Sequence, residues 1–166
     1  PLQTQILDVQ LFRPDATMWS NMHFLVQFEP DEVDIHRLCK AVNRAINNHP
    51  ALSSVFRFDE NRELVQQYVP GLLEEIEVQD INEETVPMLP DVLVMPFDKI
   101  LDACLCRVKV FRSPSHGYLF MDIHHMLMDG DSLGVLLADI VNAYFDRELP
   151  PDYYFALRSE EIQRMK

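Results

Sequence analysis

Apolar and polar positions alternate through "NMHFLVQFE", where His23, Leu25 and Gln27 stand opposite Phe24, Val26 and Phe28, and that period of two predicts a strand. Ahead of it, "QTQILDVQLFRPD" carries Ile6, Leu7, Val9, Leu11 and Phe12 and stops at Pro14, which predicts one short helix. The period then lengthens. From Asp34 onward Ile35, Leu38, Val42, Ala45 and Ile46 recur three and four residues apart, so a helix is expected there, capped by Asp34 and ended by Pro50.

Two strand-like runs follow, "ALSSVFRFD" and "ELVQQYV", separated by Asp59, Glu60, Asn61 and Arg62 as in a hairpin. "EIEVQDI" predicts a further short strand, and the acidic, proline-broken "NEETVPMLPDVLVMPF" predicts irregular chain with some helix. Two longer strands come next, "ACLCRVKVFR" and "GYLFMDIHH", joined by the turn Ser113-Pro114-Ser115-His116. "SLGVLLADIVNAYFDR" is then the clearest helix of the chain. Leu133, Leu136, Leu137, Ile140 and Tyr144 form its expected buried stripe, Ser132 its expected N-cap, and Pro150 and Pro151 its end. Hairpins and helices interleaved in this way predict an α+β sandwich, with helices laid on a largely antiparallel or mixed sheet.

Length and composition narrow the class without changing that picture. At 166 residues the chain fits one ordinary domain, and 48% apolar with 25% charged residues is a globular profile. A net charge of −13 disfavours nucleic acid and anionic lipid as partners. Apolar stretches are broken well before membrane-spanning length and no signal peptide opens the chain, so a cytoplasmic, membrane-free protein is expected. Cys39, Cys104 and Cys106 are read as reduced, buried thiols rather than metal ligands. The chain opens at Pro1 and stops within the charged, helix-like "RSEEIQRMK", which reads as a piece of something longer. The four glycines build neither a P-loop nor a dinucleotide fingerprint.

The candidate chemistry sits where the second long strand ends, in "IHHMLMDGDSLG". The plainest reading makes His124 and His125 strand-end packing residues and Asp129-Gly130 a turn. A metal reading would use His125 and Asp129, but two ligands are too few. The third reading is chemical. Adjacent strand side chains point to opposite faces, so one histidine can face a cleft while the other packs internally. A neutral imidazole can take a proton from an attacking amine or hydroxyl. Asp129 can fix the loop that aims it, and Gly130 lets backbone N–H groups approach a substrate at the helix start. Those parts suit acyl transfer.

A resemblance narrows these readings. His124-His125-Met126-Leu127-Met128-Asp129-Gly130 resembles the H-H-x-x-x-D-G signature of the condensation domains of nonribosomal peptide synthetases, which share the chloramphenicol-acetyltransferase-like fold. "FEPDEVDIHRLCKAVNRAINNHPALSSVF", "MPFDKILDACLCRVKVFRS" and "DGDSLGVLLADIVNAYFDRELP" resemble further segments of that family, with Cys104 where a proline is common. The resemblance implies that residues 1–166 form the N-terminal half of such a domain, with the C-terminal half absent and the signature facing a tunnel between the halves. It implies no directly bound cofactor. Donor and acceptor acyl groups would arrive as thioesters on phosphopantetheine arms of two carrier domains, with an adenylation domain adjacent. The acceptor amine would attack the donor thioester to form an amide. His125 would be the catalytic histidine, and His124, Asp129 and Gly130 would be structural members of the motif.

One departure stands out. The family's R-H-E-x-L-R segment is matched here by Asn48-His49-Pro50-Ala51-Leu52-Ser53, so the two arginines that help hold the signature aspartate are missing. Arg57, on the strand that follows this segment, is expected to pair with Asp129, and backbone N–H groups at the start of the next helix are expected to contribute as well. His49 is expected to pack or cap at the helix end. A half-tunnel alone should be inactive, with an exposed apolar face that favours self-association. Three other readings share these residues: an epimerisation domain, a stand-alone acyltransferase using coenzyme A, and a degenerate half that only docks a carrier domain.

Overall fold

A computed structural model describes residues 20–73 and 75–165; the short helix expected near the N-terminus lies outside them. The chain forms a strand β1 (Asn21–Phe28), helix α1 (Ile35–Asn48) and a hairpin of β2 (Ser54–Phe58) and β3 (Leu64–Tyr68). Strand β4 (Val78–Asp80), a 3-10 turn over Glu83–Met88 and the short helix α2 (Leu89–Leu93) come next. Strands β5 (Cys106–Arg112) and β6 (Gly117–His124), helix α3 (Gly130–Tyr144) and helix α4 (Tyr154–Met165) complete the described chain.

The main sheet has the order β1-β6-β5-β4. β6 runs antiparallel to both β1 and β5, whereas β4 lies parallel to β5, so the sheet is mixed. Strands β2 and β3 form a separate two-stranded sheet. Helix α1 forms where its apolar residues share one stripe: Leu38, Val42, Ala45 and Ile46 are buried. The Asp34 carboxylate caps it by accepting the His36 and Arg37 N–H groups, both at 3.0 Å.

Both faces of β6 are covered, which is why all eight of its residues are buried. Leu119, Met121 and Ile123 join the main core with α1 and α3, while Tyr118 and Phe120 pack with Phe111 and Leu89 in a smaller cluster. At the start of β6, Gly117 lies opposite Phe28, whose ring occupies the space a side chain would need.

Several expectations shift. The acidic segment folds as the 3-10 turn followed by α2, and β4 keeps only three residues of the strand expected there. Cys39 and Cys106 are buried free thiols, whereas Cys104 is half-buried just ahead of β5 and turns its Sγ to the Cys106 carbonyl. On α3 the buried residues are Leu136, Asp139, Ile140 and Ala143, while Leu137 is exposed.

Candidate active site

The signature histidines part company where β6 ends. His124 is fully buried and His125 is exposed. Pairing with β1 continues one residue past the strand through the His125 N–H, which donates to the Ser20 carbonyl at 2.7 Å. The His124 N–H donates to Leu105 O, and the His124 Nδ1 accepts the Met126 N–H at 3.1 Å. Burial, with a smaller contribution from His125, pushes the His124 pKa down to about 4, so its ring is neutral near pH 7. Because Nδ1 is an acceptor, the proton of that neutral ring is assigned to Nε2. The edge-on Phe97 ring, 5.6 Å away between centroids, holds the imidazole in place. His124 is thus committed to the interior, and the next side chain is left for other work.

Met126, Leu127 and Met128 are buried, so the loop leaves the strand as a packed corner rather than a free turn. It delivers Asp129 to the start of α3. The sequence expectation of Ser132 as N-cap is corrected here: Asp129 is the cap, and its Oδ1 accepts the Ser132 N–H at 2.9 Å and the Ser132 hydroxyl at 2.6 Å. The Ser132 hydroxyl and N–H hold the Asp129 carboxyl below its ordinary range, and His125 adds a small pull in the same direction. Gly130 opens the helix at the surface with nothing within 4 Å of the position a Cβ would take. Its missing side chain serves no contact within the chain; it leaves the helix mouth open beside the motif.

Arg57 does not serve Asp129. Its guanidinium lies 2.7 Å from Asp102 Oδ1, with both side chains about half exposed. The reason is register. Phe56 bridges Leu101, and its carbonyl accepts the Asp102 N–H at 2.8 Å, which aims the next residue of β2 at Asp102. An exposed carboxylate at a helix N-terminus is solvated and favoured by the helix dipole, so it needs no dedicated cation.

Two arrangements beside the motif do not follow from the sequence pattern. His49 stands between two carboxylates: its Nδ1 is 2.8 Å from Asp152 Oδ2, and its Nε2 is 2.9 Å from Asp139 Oδ2. The second contact has ion-pair distance but lies off the line of a well-directed hydrogen bond. These groups sit in the wall of a cleft of about 380 Å³ that also borders Leu127, Met128 and Ser132 of the motif region. The readable signal is Asp139, a charge between Leu136 and Ile140 on the buried stripe of α3. The other arrangement surrounds Asp122, fully buried on β6 and the cross-strand partner of Arg107. Asp122 Oδ2 accepts from Asn21 Nδ2 at 3.1 Å and Arg107 Nη1 at 3.2 Å. Burial raises the Asp122 pKa against the pull of Arg107, His23 and Asn21.

Among the described residues no group of three or more His, Cys, Asp or Glu is arranged to hold a metal ion, and no helix is long and apolar enough to cross a membrane.

Comparison with known proteins agrees with this geometry. The family model of the condensation domain matches residues 1–153. Gramicidin S synthase 2 of Aneurinibacillus migulanus is 31% identical over 125 residues, covering 75% of this chain and 3% of that protein. Surfactin synthase subunit 2 of Bacillus subtilis (strain 168) is 29% identical over 143 residues, covering 81% of this chain and 4% of that protein. Among solved structures, the starter condensation domain of rhizomide synthetase RzmA superposes with a TM-score of 0.76 at 17% identity, covering 98% of this chain and 42% of that one. The first condensation domain of the calcium-dependent antibiotic synthetase, solved with a substrate analogue, gives 0.73 at 17% identity, over 99% and 42%. The chain therefore spans a small fraction of the curated relatives and about two-fifths of these solved chains. A paired histidine signature at the end of a buried strand, on this mixed α+β sandwich and under a family match over nearly its whole length, makes the chain a member of the condensation-domain family of nonribosomal peptide synthetases, with the chloramphenicol-acetyltransferase-like fold.

Proposed function

We propose that this chain acts as the N-terminal half of a peptide-bond-forming condensation domain, with His125 as the residue that meets the attacking amine. The observation that carries the reading is the split of the histidine pair. His124 is buried, neutral and bonded to the chain, while the adjacent His125 is exposed at the mouth of α3. An imidazole turned outward at a helix start is where an acyl-transfer base belongs.

In the proposed reaction the acceptor's amine nitrogen attacks the donor's thioester carbonyl and a C–N bond forms. His125 accepts or orients the proton leaving that nitrogen. The tetrahedral centre collapses, the C–S bond breaks, and the departing phosphopantetheine thiolate takes up a proton. The open space over Gly130 gives the reacting carbonyl access to the first-turn N–H groups of α3, which are suited to a developing oxyanion. Asp129 shapes this mouth as the helix cap; His124 fixes the strand end.

The chain binds no cofactor directly in this reading. Its substrates come on the phosphopantetheine arms of donor and acceptor carrier domains, next to an adenylation domain, in the cytoplasm. The C-terminal half of the domain supplies the other wall of the tunnel. Without that half, one wall cannot hold two thioesters in register, and proximity is worth about 7–11 kcal/mol of the barrier. Exposed Leu137 and Val141, one turn apart on α3, fit an apolar strip made to be covered.

The test is single turnover by the full-length protein with a donor-loaded and an acceptor-loaded carrier. Amide product on the acceptor carrier is the expected result. Epimerised donor without amide, or transfer only from coenzyme A thioesters, would replace the reading with one of its relatives. Carrier binding with no turnover would make the half a docking module.

A further inference from the structure

Beneath the signature, Arg107 of β5 is held in more ways than a surface arginine needs. Its Nη1 donates to Asp122 Oδ2 at 3.2 Å and to the Met95 carbonyl at 2.6 Å. Its Nη2 donates to the Pro96 carbonyl at 2.8 Å. The guanidinium carbon stacks 3.8 Å from the centre of the Phe97 ring. Asn21, the cross-strand partner of His124, adds a bond from its Nδ2 to the same Met95 carbonyl at 2.9 Å. The buried Phe97 ring then meets His124 edge-on.

We infer that Arg107, neutralised by Asp122, is a positioning residue: it fixes the Met95–Phe97 loop, Phe97 fixes the His124 ring, and the fixed His124 sets the direction in which His125 leaves the strand. Each link has a chemical reason. A planar guanidinium can grip two successive carbonyls, lie flat on an aromatic ring and face a carboxylate at once; an ammonium cannot. Asp122 is present because a cation at this place needs a compensating charge, and a buried carboxylate needs the cation. His124 holds the Met126 N–H, so a rotation of its ring would move the corner that carries His125 and Asp129. Bracing by Arg107 comes from β5, on the side of the sheet shared with Tyr118 and Phe120, and is separate from the missing arginines of the Asn48–Ser53 segment.

This inference rests on the proposed role of His125, and a double-variant cycle separates the two. Single-turnover amide formation is measured for the full-length protein, for Arg107→Lys, for His125→Ala and for both together. A displacement of about 1 Å at a reacting group can cost roughly 100-fold. Arg107→Lys is therefore expected to slow turnover at least tenfold, with carrier KM within twofold and the fold retained by circular dichroism. In the His125→Ala background the same change is expected to cost less than twofold, because the group it positions is gone. Phe97→Leu leaves the Arg107–Asp122 pair intact and is expected to give the same non-additive pattern, which keeps the test open if Arg107→Lys folds poorly. An Arg107→Lys or Phe97→Leu loss of equal size with and without His125, or no loss at all, overturns the inference while leaving the role of His125 standing. Full turnover by His125→Ala overturns both.

Discussion

His124 Nδ1 accepts the Met126 N–H at 3.1 Å, so this imidazole is neutral and locked while its neighbour His125 stands in solvent. A residue that must stay neutral in the fold makes stability depend on pH. The folded His124 titrates at about 4, below its ordinary 6.5, because burial disfavours the charged ring. Between those values the unfolded chain binds a proton that the folded chain refuses. The stabilisation is therefore complete above pH 6.5 and is lost as pH falls toward 4, by about 3 kcal/mol. Urea unfolding across this range should show the loss, and His124→Asn should flatten that part of the profile. A profile unaffected by the substitution would contradict the assignment.

Asp129 is a helix cap, and its substitution should behave as one. Asp129→Ala should destabilise by about 1 kcal/mol, and Asp129→Asn by less, since asparagine caps as well as aspartate. Arg57→Ala should change stability by less than about 1 kcal/mol, because its pair with Asp102 is half exposed. Chemical denaturation of the three variants checks both statements. A loss of several kcal/mol for Asp129→Ala would point to a buried charge pair instead.

His49 ties the chain after α3 to the end of α1 through Asp139 and Asp152. His49→Ala leaves the buried Asp139 without its partner and should cost about 1–3 kcal/mol. Hydrogen exchange should become faster at Asp152–Tyr154, where the Asp152 carboxylate also accepts the Tyr154 N–H at 2.6 Å. Unchanged protection there would show that the latch is ornamental.

How much of the fold and site is legible in sequence depends on distance along the chain. Helix α1 is legible because its stripe and its Asp34 cap are local. The opposite exposure of His124 and His125 is legible because alternation along a strand is local too. The cap of α3 falls three residues from its expected place, since both Asp129 and Ser132 are good cap residues. Burial of Met126, Leu127 and Met128 decides between them by ending the corner early. The partners of His49, Arg57 and Arg107 depend on which elements pack together. Sequence alone pairs Arg57 with Asp129 because the missing arginines make a nearby cation attractive; the bridge from Phe56 to Leu101 sends it to Asp102. His49 meets Asp139 only because α1 lies against α3.

In the proposed reaction His125, and not the adjacent His124, meets the attacking amine. The most direct measurement is the single-turnover rate of amide formation by the full-length protein carrying His125→Ala, with both carriers loaded and the unfolding temperature recorded alongside. The expected result is a loss of about 10²–10⁴-fold at an unchanged unfolding temperature. Wild-type turnover by His125→Ala, with His124→Ala folded but inactive, would contradict it.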